Sequence, residues 1–174
     1  MDEALLVLRI VAGLLFAGHG AQKLFGWFGG HGLEGTAGFF EQIGLKPGRL
    51  HATAAGFNEF AGGLLLALGL LTPFAAALII ATMTAAVITV HAKNGPWASD
   101  QGWELNALYG LIAFAVAGIG AGSASLDNAL GLDINGIGWA IGALVAGIVG
   151  GVGAVLVGRA GNEADVGDGQ PSAA

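Results

Sequence analysis

Five stretches of mostly apolar sequence, at about 4–25, 50–71, 74–92, 103–121 and 137–158, constrain this chain more than any other feature. A helix needs about 20 such residues to cross the hydrocarbon of a bilayer, and each stretch supplies close to that number. The apolar residues come in blocks and do not alternate with polar ones; 55% of the chain is hydrophobic and 10% charged. The chain therefore reads as an all-α, multi-pass membrane protein in the lipid bilayer. Its expected architecture is a four-helix transmembrane bundle within residues 1–131 and a fifth, glycine-rich transmembrane helix within 132–160. Residues 161–174 form a short acidic tail, expected to be disordered. The start, Met1-Asp2-Glu3, lacks a basic lead-in, so the first span is expected to stay attached as a helix. The loops are too short for a soluble domain, and with a net charge of −6 no nucleic-acid partner is expected. There is no cysteine, which excludes disulfides, thiol redox chemistry and cysteine-ligated clusters.

Threading five spans through a bilayer puts the ends of odd spans and the beginnings of even spans on one side, here called end B. All four histidines, His19, His31, His51 and His91, fall there, with Lys23, Lys46, Arg49, Lys93, Arg159 and Glu104. The opposite end A holds Asp2, Glu3, Asp127 and Asp133, with Arg9 inside its span. The positive-inside rule then makes end B cytoplasmic, the amino terminus external and the carboxyl terminus cytoplasmic.

Two ionisable residues lie deep in the spans. Arg9 is about a turn and a half into the first and Glu59 about ten residues into the second, depths that cost several kcal/mol unless the group is paired or hydrated. One reading is an Arg9–Glu59 pair that fixes helix register. The other makes Glu59 a proton-carrying or ligand-binding carboxylate, with Gly56, Gly62 and Gly63 letting a helix or ligand come close. Asn58 is read as a packing residue on another face.

At end B, His19 and Lys23 are four residues apart, hence on one helix face, with Gln22 beside them. Lys23 is either a snorkelling end-of-helix lysine or one wall of a polar pocket. His91 and Glu104 flank the third loop, as a proton relay or a simple interfacial hydrogen bond. His31 and His51 read as solvated or capping residues. No two histidines have the spacing of paired ligands on one helix, so no metal site is expected. Thr36 to Ile43 is expected to form an interfacial helix with Phe39, Phe40 and Ile43 turned toward lipid, and the fifth span to serve packing.

These residues, taken in order, resemble the DoxX family of small bacterial and archaeal membrane proteins. The likeness rests on Leu8-Arg9, the run GHGAQKLFG from Gly18 to Gly26, Phe39-Phe40 with Gly44-Leu45-Lys46-Pro47, and Glu59 with Gly62-Gly63. It continues through Gly69 to Pro73, His91 with Asn94-Gly95, Trp103-Glu104, and Ser125-Leu126-Asp127, so that residues of about 5 to 131 are covered. The resemblance implies a four-helix core in a prokaryotic cell membrane and a link to membrane redox chemistry. The family takes its name from a subunit associated with quinone-reducing sulfur oxidation, and relatives are associated with oxidative-stress complexes. Most members have no established activity, which leaves open whether this chain is itself an enzyme.

Joined to that resemblance, the residues suggest a lipid-soluble quinone as the carrier. Such a headgroup needs hydrogen-bond donors and a proton route, and its tail an apolar crevice. The catalytic candidates are His19, Lys23, Glu59, His91 and Glu104, and the cofactor-binding candidates Arg9, His19, Lys23, Gly62 and Gly63. Competing readings are a small-solute or proton transporter using the same intramembrane charges, and a scaffold that recruits soluble redox enzymes or other membrane subunits. Either is compatible with a homo-oligomer.

Overall fold

A computed structural model describes residues 2–168. The described chain is all helix and connection. Helix α1 spans Asp2–Phe25, α2 Gly32–Gln42, α3 Gly48–Leu68, α4 Thr72–Ala86, α5 Glu104–Ile119, the single turn α6 Leu126–Ala129, and α7 Ile137–Asp168. α4 continues without a break as a π-helical turn over Val87–His91. Three helices among the described residues are long and apolar enough to cross a membrane, within Asp2–Phe25, Thr72–Asn94 and Ile137–Glu163. α3 is comparable in length but carries Arg49, His51, Asn58 and Glu59, and α5 is shorter at 16 residues. α7 runs beyond the expected end of the fifth span to Asp168, and residues 169–174 of the acidic tail lie outside the described residues.

Helix ends follow from local chemistry. α1 has Asp2 and Glu3 in its first turn and Lys23 in its last, matching the helix dipole at both ends. α3 ends at Gly69, whose φ of 62° lets the chain reverse, and Leu70 N–H donates back to Leu65 O at 2.9 Å to complete the cap.

α1 lies along α3, α4 along α7, and α5 against both α4 and α7. Within lipid no hydrophobic force drives helices together, so close backbone approach and dispersion must do so. Gly13 lies against Gly63 and Gly20 against Gly56: a Cβ at Gly13 would fall 2.5 Å from Gly63 O, and one at Gly20 2.6 Å from Gly56 O. The shared core is built largely of alanine, with Ala12, Ala75, Ala76, Ala113, Ala117, Ala140 and Ala143 around Phe16, Leu66, Ile79, Ile80 and Val116. Val7, Val11, Leu14 and Leu15 of α1 and Val145, Val149, Leu156 and Val157 of α7 face outward, where lipid would meet them.

End A is closed by a polar lock. Asp127 is 5% exposed and accepts from Leu71 N at 2.7 Å, Thr72 N at 3.0 Å and Thr72 Oγ1 at 2.5 Å, so it caps α4 from another part of the chain. The Arg9 guanidinium is fully buried and donates to Ala67 O at 3.2 Å and Ala124 O at 2.6 Å, within electrostatic reach of Asp127. Three of the motifs that carry the family likeness, around Arg9, Gly69–Pro73 and Ser125–Asp127, thus meet at one place. At end B, α2 is held to α3 by an exposed Arg49–Glu34 ion pair and by Gly48 N–H donating to Glu41 Oε1 at 3.2 Å. Lys46 N–H donates to Gly158 O at 2.9 Å and ties the following loop to α7.

Candidate functional site

A cavity of about 300 Å³ lies between α2, α3, α4 and α7, in the half of the bundle toward end B. α2 and its following loop supply Phe39, Phe40, Ile43 and Leu45; α3 supplies Ala54 and Ala55; α4 supplies Ala81, Ala85 and Ala86. Gly150, Gly151, Ala154 and Val155 of α7 complete the apolar wall. Into this surface project Lys23, His51, Asn58, Glu59, Thr82, Thr89 and His91.

The centre of the polar set is Glu59, 3% exposed, whose Oε2 accepts from Lys23 Nζ at 2.5 Å. A carboxylate at this depth is tolerable because the ammonium reaches it, while the lysine side chain, 28% exposed, starts beside Gly56 of α3. His19, one turn before Lys23, and Tyr109 of α5 lie within electrostatic reach of Glu59. His91 is held by Nδ1 at 2.6 Å from Gln101 O. A carbonyl only accepts, so Nδ1 carries the proton and Nε2 of the neutral ring is an acceptor. The hydroxyls of Thr82 and Thr89 donate to Leu78 O and Ala85 O one turn back and keep acceptor capacity. His51 is 8% exposed, and its Nε2 is buried with no hydrogen-bond partner.

The geometry redistributes the residues singled out from sequence. Lys23, Glu59 and His91 line one cavity; His19 is exposed on α1 and Glu104 sits at the start of α5, and neither lines it. Arg9 does not pair with Glu59, because Arg9 belongs to the lock at end A and Lys23 is the partner of Glu59. Gly63 faces the backbone of α1 at Ala17, and Gly62 faces Leu78 and Ile79 of α4, so neighbouring helices occupy both glycine faces. Phe39, Phe40 and Ile43 line the cavity, and Phe39, 44% exposed, also stays open to the lipid contact expected of it; Asn58 shares the cavity with Glu59. His91 bonds the Gln101 carbonyl in place of Glu104. His51 and the α7 wall carried no sequence signal of a site, since a buried histidine and a glycine-rich span look the same whether they face a cavity or a helix. Among the described residues no group of three or more His, Asp or Glu is placed to hold a metal ion.

The fold and the cavity together define an all-α membrane bundle with a lysine–glutamate ion pair on the wall of an apolar cavity. The sequence pattern of the DoxX family matches residues 4–92, just over half of the chain, and the protein belongs to that family. It is 34% identical over 113 residues to a Bacillus subtilis (strain 168) protein named "Putative oxidoreductase CatD", an alignment covering 65% of this chain and 78% of that relative. No solved structure matches it.

Proposed function

We propose that the cavity binds the headgroup of a lipid-soluble quinone and that the protein is the quinone-interacting subunit of a membrane redox system. The observation that carries this reading is the Lys23–Glu59 pair, placed on the wall of an otherwise apolar cavity. A quinone oxygen needs a donor, which Lys23 Nζ supplies; its reduction needs protons, which Glu59 and the acceptor face of His91 are placed to relay. The ring and tail need apolar walls, which the alanines of α3 and α4 and the aromatic pair of α2 provide. The relative named as an oxidoreductase gives the reading independent support. Electrons come, on this reading, from a soluble redox enzyme or another membrane subunit. Lys46, Arg49, Lys93 and Arg159 at end B orient the cavity toward the cytoplasm, with the amino terminus external.

The test is titration of the detergent-purified protein with decylubiquinone. Lys23→Met should weaken binding roughly ten- to a hundredfold, the cost of one charge-assisted hydrogen bond. Glu59→Gln keeps the shape and one acceptor but cannot relay a proton, so binding should persist while coupled turnover slows. His19→Ala and Glu104→Gln, outside the cavity, should bind as wild type. Equal affinity in all variants, or no saturable binding by the wild type, would overturn the reading and favour the scaffold.

A further inference from the structure

We infer that Gly150 of α7 sets the width of this cavity and so decides which ring headgroup it admits; the inference rests on the quinone reading above. α7 uses its small residues in two different ways. At Gly147 an added Cβ would fall 2.6 Å from Ile80 Cβ, and at Gly151 2.4 Å from Ala81 O, so these two positions hold α7 against α4. At Gly150 an added Cβ would meet only Ala81 Cβ at 3.7 Å, an ordinary contact. Gly150 and Ala154 are four residues apart, hence on one face, and both line the cavity. Gly150 is exposed on the cavity lining, so a side chain there adds bulk to that lining without parting the helices.

α3 contributes a buried histidine to the same cavity. His51 is 8% exposed and lines the cavity, yet its Nε2 has no partner. It lies beside α7, where a Cβ at Gly158 would fall 3.1 Å from that nitrogen. A buried polar atom without a partner is unfavourable until a ligand or water bonds it. Gly150 and the alanines of α3 and α4 line the same cavity, so bulk added at position 150 reduces the space left for a ring bound there. Widening the wall by one methyl should therefore discriminate between rings of different breadth.

The experiment titrates wild type, Gly150→Ala, Gly150→Leu and Gly153→Leu with decylubiquinone, a single ring, and with menadione, two fused rings. The absence of cysteine removes thiol addition to menadione as a complication. Gly153 has nothing within 4 Å of an added Cβ and does not line the cavity, so its variant should bind as wild type. Gly150→Leu should weaken both probes by about tenfold or more, the scale of overfilling a packed site. Gly150→Ala, a better helix former and thus expected to fold, should weaken menadione more than decylubiquinone. If the wild type binds and Gly150→Ala leaves the ratio of the two affinities unchanged, the width role is overturned while the quinone reading stands. If the wild type binds neither probe, both are overturned. Should Gly150→Leu fail to fold, the alanine variant alone decides.

Discussion

Replacing Lys23 by methionine leaves Glu59 in place with 4% of its side chain exposed and no ammonium to meet it. Removing one partner of a buried ion pair costs about 3–5 kcal/mol. Because the Lys23 side chain is 28% exposed, part of the pair is already screened, and the lower end, about 3 kcal/mol, is the expected loss. For a chain of this size each kcal/mol moves the midpoint by about 2–4 °C, so Lys23→Met should melt roughly 6–12 °C lower. Glu59→Gln should cost less, about 1 kcal/mol, since the lysine left behind can snorkel to water. The double variant should then be more stable than Lys23→Met alone, with a coupling of about 1–2 kcal/mol. The assay is far-ultraviolet circular dichroism melting of the four proteins in one detergent. A double variant that loses the sum of the two single losses would show that the residues are not energetic partners and that another group stabilises Glu59.

Asp127→Ala strands two backbone N–H groups and a buried hydroxyl, so it should destabilise by about 3 kcal/mol or more, whereas Asp133→Ala nearby should be neutral; thermal melting separates them. Gly63→Leu would drive side-chain atoms into α1, where even a Cβ falls 2.4 Å from Ala17 N, and should abolish the folded, monodisperse peak in size-exclusion chromatography. Gly18→Ala, with nothing within 4 Å, should elute and melt as wild type or slightly higher. A reporter fused after Arg159 should score as cytoplasmic and one at the amino terminus as external; finding both on one side would overturn the assigned orientation.

The helices themselves were legible because hydropathy in blocks of about 20 residues leaves few alternatives in a bilayer. Partnership within them was not. Depth counted separately along α1 and α3 brings Arg9 and Glu59 together, but the register is set by Gly13 against Gly63 and Gly20 against Gly56, so that paired positions add to 76. By that rule Arg9 is level with Ala67, whose carbonyl it bonds, and Glu59 is level with Ala17, eight residues away along α3. Lys23 reaches Glu59 because helical side chains lean toward the amino-terminal end. The cavity-lining role of α2 was hidden for a related reason: an amphipathic helix at an interface shows the same pattern whether its aromatic face meets lipid alone or also, as Phe39 and Phe40 do, lines a cavity. His91 lies at the end of the π-helical turn, and such a turn changes which face a residue presents in a way that ordinary helical spacing does not encode.

The lock at end A also bears on time. Each of its parts, Arg9, Ala67, Thr72, Ala124 and Asp127, precedes α7 in the chain. Nothing in the lock waits for α7, so the first four long helices can be fastened to one another before α7 packs, and α7 is then added to a body that already has its register. The α7 wall of the cavity follows every part of the lock in the chain. Until it packs, the flank of α4 that later meets Gly147 and Gly151 stands open to lipid, so the compartment is closed by a helix that contributes no residue to the lock.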